Sequence, residues 1–174
     1  MEILVKSRYF FEEIKGTPEE AQLFSRYRVI SINSVRIPEE PPFSEQYWRA
    51  DNVLILKFDD VEEMRECSNA GMRECEMQQR GQAMTEADAD AVARFAGDGR
   101  DSRYGGVAGM DERPIMIHCT AGISRSGAIG AALNEYYNKV RSQNEADHEA
   151  FWSRHPNINP NLHVLRLLWK KLKL

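Results

Sequence analysis

The stretch at residues 115–127 constrains the fold of this 174-residue chain more than any other. It begins with the apolar run Ile-Met-Ile at 115–117, which follows Pro114 and is typical of a buried strand. A loop of small residues comes next, and an alanine-rich segment follows from Ser126. Its apolar residues recur at helical spacing on one face, namely Ile129, Leu133, Tyr136, Tyr137 and Val140. The pattern predicts a strand, a tight loop and a helix that runs to about Val140.

The predicted loop has the composition of an anion-binding site. A loop that leads into a helix presents backbone N–H groups and the positive end of the helix dipole, so it can bind a tetrahedral anion. Cys119 begins the loop and Arg125 ends it, with five residues between them. The same amides would stabilise the thiolate of Cys119, which is the nucleophilic form of a thiol. The planar guanidinium of Arg125 matches two phosphate oxygens, and Ser126 can donate its hydroxyl to the sulfur as a leaving group.

This run from His118 to Ser126 resembles the signature of cysteine-based protein tyrosine phosphatases, particularly the small dual-specificity and bacterial types. The resemblance implies that Cys119, Arg125 and Ser126 are catalytic and that His118 orders the loop and tunes the thiolate. It also implies that the loop binds the substrate phosphate through Thr120, Ala121, Gly122, Ile123, Ser124 and Arg125. The alternative for His118 is a plain packed histidine, and the alternative for the motif is a structural cysteine near a surface arginine.

A candidate general acid follows another predicted strand, at residues 53–58, which ends on Asp59 and Asp60. Carboxylates at a strand end lie where the functional loops of α/β sheets gather, and a leaving alkoxide or phenoxide needs a proton donor. In the resembled phosphatases such a strand leads into the general-acid aspartate, and Asp60 matches that place best, with Asp59 second. The alternative is a helix cap for the segment that follows.

Asp60 and Cys119 are separated by 59 positions in the sequence, which is more than the resemblance implies. Two segments take up the excess, at residues 64–84 and 97–113. The second contains Gly-Asp-Gly and Gly-Gly pairs and is predicted to be a mobile surface loop.

The rest of the chain supplies further strands and helices. Short apolar runs predict strands near residues 1–6 and 29–32, and capped helices begin after Thr17 and Thr85. Glu20 is expected to complete a capping box with Thr17. Two more helices are predicted before the C-terminus. We therefore expect one α/β domain over residues 1–174, with a central mixed or parallel sheet flanked by helices and the phosphate-binding loop between a strand and a helix.

Charge and composition narrow the partners. The net charge of −4 and the scattered arginines give no basic surface for nucleic acid. Because there is no apolar run near 18 residues and no apolar leader, we expect no membrane span and a cytoplasmic location. A monomer is also expected. Three cysteines suit a reducing compartment. Cys67 and Cys75 are interpreted as incidental thiols, with a reversible disulfide to Cys119 as the alternative, and no metal or cofactor is expected.

These observations predict a phosphoric monoester hydrolase that acts on phosphorylated proteins or peptides through a cysteinyl-phosphate. Phosphotyrosine is the first choice of substrate, and dual specificity stays open. The loop interior lacks lysine, which disfavours a polyphosphoinositide, and the acidic balance disfavours an RNA 5′-triphosphate. A catalytically weak phosphate-binding module and a sulfur-transfer or arsenate-reducing enzyme are the alternatives from other classes.

Overall fold

The computed structural model describes residues 1–61, 81–97 and 113–174. Within these ranges four strands form one sheet in the order β1-β4-β2-β3. The strands are β1 (Ile3–Ser7), β2 (Arg28–Asn33), β3 (Val53–Lys57) and β4 (Ile115–Cys119). All three pairings are parallel. The predicted α/β class is therefore confirmed, and the described sheet is the parallel one of the two alternatives.

Helices lie on both faces of this sheet. The described helices are α1 (Arg8–Ile14), α2 (Pro18–Arg26), α3 (Glu86–Ala96), α4 (Arg125–Asn134), α5 (Glu145–Arg154) and α6 (Leu162–Leu172). Strand side chains alternate between the two faces, as the period of two requires. In β4, Ile115 and Ile117 pack in the larger core with residues of α3, α4 and α6, whereas Met116 packs on the other face with aromatic residues of α1 and α2.

The helix α4 passes through the centre of the molecule, and all ten of its residues are buried. Small side chains allow this close approach. A Cβ atom added at Gly130 would lie 2.7 Å from Val5 Cγ2 and 3.1 Å from the ring of Phe151. Since β4 and α4 are both fixed in the core, the loop between them has both ends anchored.

One prediction about a helix end is wrong. The predicted capping box at Thr17 does not form, because Thr17 Oγ1 donates to Ile14 O at 2.7 Å. The buried carboxylate of Glu20 instead accepts from Gly16 N and from both N and Oγ of Ser44. The long-range contact with Ser44 outweighs the local pattern. The predicted helix after Thr85 does begin with a capping box, which Thr85 forms with Asp88.

The helix predicted to reach Val140 changes its winding partway. After α4 the chain continues as a π-helical segment (Glu135–Arg141). The wider turn shifts the later residues off the predicted apolar face, so Val140 is exposed while Tyr137 is buried. The Tyr137 hydroxyl donates to the carbonyl of Ala96 at the end of α3.

None of the helices in the described part of the chain is long and apolar enough to cross a membrane. Cys67 and Cys75 lie outside the described residues, and so does most of each insertion predicted at residues 64–84 and 97–113.

Candidate active site

The structure brings the signature residues together at the C-terminal end of β4. Cys119 is the last residue of β4 and Arg125 is the first of α4, so residues 119–125, which we call the Cys119 loop, join the central strand to the central helix. A cavity of about 870 Å³ opens over this loop. Its other walls come from the loop after β2, from residues 59–61 and from Gly81. This is the sheet edge at which α/β folds usually bind ligands.

The sulfur of Cys119 faces two hydrogen-bond donors. Ser126 Oγ lies 3.1 Å from Sγ, and the backbone N–H of Gly122 donates to Sγ at 3.3 Å. Cys119 is only 2% exposed, so these contacts act in a largely water-free setting. The two contacts hold the sulfur between the loop backbone and the first turn of α4.

The conformation of the Cys119 loop requires glycine at position 122. Gly122 has φ +75°, in the left-handed region that side chains disfavour. An added Cβ would also lie 2.7 Å from the carbonyl carbon and oxygen of Lys6 and 2.8 Å from Ser7 N. The loop thus packs directly on the backbone at the end of β1, and this contact turns the Gly122 amide towards the sulfur.

Arg125 is 7% exposed and is fixed by two hydrogen bonds. Its Nη1 donates to the carbonyl of Phe58 at 2.8 Å, and its Nη2 donates to Thr120 Oγ1 at 2.9 Å. A guanidinium has five N–H donors, and three of those of Arg125 have no hydrogen-bond partner among the described residues. The sequence did not reveal that Thr120 holds Arg125, since this contact depends on the side-chain directions within the folded loop.

The carboxylate of Glu39 contacts Thr120. Glu39 Oε2 lies 3.5 Å from Thr120 Oγ1, accepts from Ser34 N at 3.1 Å and forms an ion pair with Arg8 at 3.7 Å. The backbone N–H of Arg8 donates to Thr120 O at 3.2 Å. Glu39 gave no signal in the sequence, because it lies in a loop 81 residues before Thr120.

His118 is fully buried beside the loop, but it does not contact it through a described hydrogen bond. Neither ring nitrogen has a partner among the described residues, and the ring packs against Phe11 with centroids 4.6 Å apart. Burial lowers the pKa of His118 to about 3, and the positive charge of Arg8 adds to that effect. The ring is therefore neutral and packed, while a role in ordering the loop stays a prediction.

Asp60 and Asp59, the first and second candidates for the general acid, have different surroundings. Asp60 is exposed on the cavity wall, and its Oδ1 accepts from Ser124 Oγ at 2.7 Å and from Asn161 Nδ2 at 2.9 Å. Asp59 is 9% exposed, and its carboxylate accepts from Ser34 and from three backbone amides. Burial by itself raises the pKa of Asp59, but these hydrogen bonds outweigh it and hold the pKa below its ordinary value.

Asn161 is a residue of the site that the sequence did not point to. It is fully buried, and its Oδ1 accepts from Val164 N at 3.1 Å as the N-cap of α6. Its Nδ2 donates both to Asp60 and to Val61 O, the latter at 3.2 Å. An asparagine before an apolar helical pattern predicts a cap. Nothing local reveals the contact with Asp60, which is 101 residues away.

The described residues contain no group of three or more His, Cys, Asp or Glu side chains placed to hold a metal ion. What the site does assemble is a cysteine sulfur, an arginine with free donors and an exposed carboxylate around one cavity. This set can bind a phosphoryl group, attack it and supply a proton.

Several solved structures are similar to the chain. A complex of PTPMT1 with PI(5)P has 16% sequence identity and a TM-score of 0.48, over 99% of this chain and 90% of that one. The PTP-2 phosphatase of Cydia pomonella has 14% identity and a TM-score of 0.48, over 97% and 84%. A human tyrosine phosphatase-like serine/threonine/tyrosine-interacting protein has 17% identity and a TM-score of 0.44, over 97% and 89%.

No protein-family model matches the chain, and no curated protein sequence matches it. With identities of 17% or less, we base the functional proposal on the atoms of the site.

Proposed function

We propose that this chain is a cysteine-dependent phosphatase that hydrolyses phosphomonoesters. Phosphotyrosine on proteins is the substrate that we propose first. The observation that carries the proposal is the surroundings of the Cys119 sulfur. The Gly122 amide donates to the sulfur and the Ser126 hydroxyl lies 3.1 Å from it. Arg125, at the other end of the loop, has three N–H groups without a partner among the described residues, and the exposed carboxylate of Asp60 accepts a hydrogen bond from Ser124 of the same loop. The proposed reaction needs neither a metal nor an organic cofactor.

In the first step the Cys119 thiolate attacks phosphorus, so that an S–P bond forms while the ester P–O bond breaks. The free donors of Arg125 and the loop amides bind the phosphoryl oxygens as their charge shifts. Asp60 gives its proton to the leaving oxygen. Its Oδ1 already accepts two hydrogen bonds, and Oδ2 has no partner among the described residues, which leaves Oδ2 as the proton-bearing atom.

In the second step water hydrolyses the cysteinyl-phosphate. Asp60, now a carboxylate, takes a proton from the water as its oxygen attacks phosphorus. The S–P bond breaks and the electron pair returns to sulfur, where Ser126 and the Gly122 amide donate to it. The products are inorganic phosphate and the original thiolate.

The cavity walls favour an aromatic leaving group. Ile37 and Ile123 both line the cavity and are 66% and 41% exposed, so they offer apolar surface on its walls. A phenol ring gains from covering such surface, whereas an inositol ring carries hydroxyl groups that would lose water there. This supports an aryl phosphate, and phosphotyrosine is the aryl phosphate of proteins.

The test is hydrolysis of 4-nitrophenyl phosphate and of a phosphotyrosine peptide by the wild type, Cys119→Ser and Asp60→Asn. We expect Cys119→Ser to be inactive, and Asp60→Asn to lose roughly 10²–10⁴-fold in kcat, the range of general acid–base catalysis. Quenching the reaction of a ³²P-labelled peptide should leave label on the wild-type protein and none on Cys119→Ser.

Near-normal turnover by Cys119→Ser would overturn the proposal. If the wild type is inactive but binds the phosphopeptide, the chain is instead a phosphate-binding module. A phosphoinositide and an RNA 5′-triphosphate belong in the same assay, because faster turnover of either would replace the peptide as the substrate class.

A further inference from the structure

Asp60 lies at the apex of a tight turn. The backbone N–H of Val61 donates to the carbonyl of Asp59 at 2.9 Å, which closes a three-residue turn around Asp60. We call residues 59–61 the Asp60 turn. Because only one residue separates the bonded pair, the direction of the Asp60 side chain depends on how Asp59 and Val61 are held.

The carboxylate of Asp59 holds one side of this turn. Its Oδ1 accepts from Ser34 Oγ at 2.5 Å and from the amides of Val35 and Arg36 at 3.1 and 3.2 Å. Its Oδ2 accepts from Gln82 N at 2.9 Å. Four donors from two distant segments therefore converge on a single carboxylate next to Asp60.

The main chain of Asp59 also bonds to Gln82. Its N–H donates to Gln82 O at 2.7 Å, so Asp59 and Gln82 are joined through both backbone and side chain. Phe58 N donates to Asn33 O at 3.1 Å, which keeps the preceding residue in line with the end of β2. The Asp60 turn is thus held by contacts with Gln82 and with the end of β2 that do not involve the Asp60 side chain.

Gly81 packs directly on this turn. A Cβ added at Gly81 would lie 2.9 Å from Asp59 Cβ and 2.7 Å from Val61 Cγ2. A side chain there would therefore displace both neighbours of Asp60. Gly81 contributes no chemical group, and its importance lies in the space that it leaves free.

We propose that Asp59 is a positioning residue for the reaction: its buried carboxylate, together with the close packing of Gly81, sets the direction in which the Asp60 turn presents the general acid. This inference rests on the proposed function. It assigns different tasks to two adjacent aspartates, one that touches the leaving group and one that holds the turn. Ser34 takes part as the side-chain donor to Asp59.

The inference predicts a specific kinetic signature. A misplaced acid harms reactions whose leaving group needs a proton more than reactions whose leaving group departs as a stable anion. Phenyl phosphate has a poor leaving group and 4-nitrophenyl phosphate a good one. A loosened Asp60 turn therefore lowers the ratio of kcat for phenyl phosphate to kcat for 4-nitrophenyl phosphate, whereas a general loss of folded protein lowers both values equally.

The experiment measures this ratio for the wild type, Asp59→Asn, Ser34→Ala and Gly81→Ala, with Asp60→Asn as the reference. Asp51→Asn is the matched control, because Asp51 is an exposed aspartate just before β3 that lies away from the cavity. The Ki of inorganic phosphate as a competitive inhibitor is measured alongside, since the Cys119 loop is unaltered in all of these variants.

We expect Asp59→Asn to lose about 10- to 100-fold on phenyl phosphate, the scale of a misplacement near 1 Å, and markedly less on 4-nitrophenyl phosphate. Ser34→Ala and Gly81→Ala should lower the ratio in the same direction, and Asp51→Asn should leave it unchanged. Ser34→Ala removes one donor of four, so it keeps the test decisive if Asp59→Asn does not fold.

The inference is overturned if Asp59→Asn and Ser34→Ala slow both substrates by the same factor while Asp60→Asn lowers the ratio. A different result would overturn the proposed function: activity retained by Cys119→Ser, or no activity in the wild type. An unchanged Ki for phosphate together with a lowered ratio places the defect in the turn and supports the inference.

Discussion

The Cys119 loop and the Asp60 turn face the same cavity but are built in opposite ways. In the Cys119 loop and the first turn of α4, the sulfur, the Gly122 amide, Arg125 and the Ser126 hydroxyl all lie within eight consecutive residues. A strand and a helix hold the two ends, and the groups contact one another. The reacting groups of this region are therefore close in the chain, although Arg125 and Gly122 also contact Phe58 and the end of β1.

The Asp60 turn takes its geometry from distant parts of the chain. Asp59 is held by the loop after β2 and by Gln82, and Asp60 is held by Ser124 and Asn161. The comparison separates two requirements of the proposed reaction. Nucleophile and phosphate binding depend on a contiguous segment, whereas delivery of the proton depends on long-range contacts. Variants of the loop should slow all aryl phosphates alike, and variants around the turn should slow phenyl phosphate most.

The largest effect is expected from Gly122→Ala. An alanine disfavours the left-handed φ of this position, and its Cβ would clash with the backbone of Lys6 and Ser7. We therefore expect the amide at position 122 to move away from the sulfur. We expect kcat/KM to fall at least about 100-fold on both phenyl and 4-nitrophenyl phosphate. Steady-state kinetics on the two substrates checks this.

Gly16→Ala is the matched control for Gly122→Ala. Gly16 has φ +76°, but an added Cβ would meet nothing within 4 Å. It should cost about 1–2 kcal/mol of unfolding free energy for the left-handed conformation and leave kcat/KM unchanged. Equal destabilisation by the two variants in urea unfolding would show that the contact with β1 is unimportant.

Asn161→Ala should give the next largest effect and should show the signature of the turn. The variant loses the donors to Asp60 and Val61 as well as the cap of α6. We expect kcat on phenyl phosphate to fall about 30-fold, because the acid is no longer held, and kcat on 4-nitrophenyl phosphate to fall less. The measurement is the ratio of the two kcat values.

Asn144→Ala separates capping from positioning. Asn144 caps α5 by accepting from Asp147 N at 3.1 Å and lies outside the cavity. Each alanine variant should lose about 1 kcal/mol from its helix cap, but Asn144→Ala should keep the ratio of the wild type. If both variants alter the ratio, or neither does, Asn161 acts only as a cap.

A smaller effect is expected from Thr120→Val, which removes the acceptor of Arg125 Nη2. A hydrogen bond to a charged group contributes about 1.5 kcal/mol, so kcat/KM should fall about tenfold. In the proposed reaction Arg125 binds the phosphate and not the leaving group, so both aryl phosphates should be slowed equally. Thr120→Ser keeps the hydroxyl and should restore most of the rate, and failure to do so would argue that the methyl group matters.

The same comparison explains which parts could be predicted from the sequence. Cys119, Arg125 and Ser126 could be recognised because strand, loop and helix follow one another without interruption, and the parallel α/β sheet follows from the alternation of elements. The capping box at Thr85 could also be predicted, since all of its atoms come from four residues. The signature and the capping box each lie within a short run of consecutive residues.

The features that could not be predicted depend on contacts between segments. Glu20 has the spacing of a capping residue, but Ser44 offers it two donors in the interior. Asp59 and Asp60 have the same side chain and adjacent positions, so only the partners that the fold brings to them set them apart. The π-helical segment (Glu135–Arg141) likewise exposes Val140, which helical spacing alone places inward.

The smallest effect is expected at the other end of α6, where Glu86 of α3 pairs with Lys170 and Lys171 at 2.9 and 2.8 Å. Hydrogen bonds from Lys171 and then Lys170 lower the pKa of Glu86 from 4.5 to about 2. The charged carboxylate is thus favoured in the folded state. Its contribution to stability is present above pH 4.5 and is lost as the pH falls from 4.5 towards 2.

Glu86→Gln tests this contribution. Its Tm should be slightly below that of the wild type at pH 7, the difference should disappear towards pH 2, and 1 M NaCl should reduce it because Glu86 and Lys170 are solvent-exposed. The two kcat values should not change. A lowered ratio of phenyl phosphate to 4-nitrophenyl phosphate turnover would mean that the position of the whole helix, and not Asn161 alone, sets the direction of Asp60.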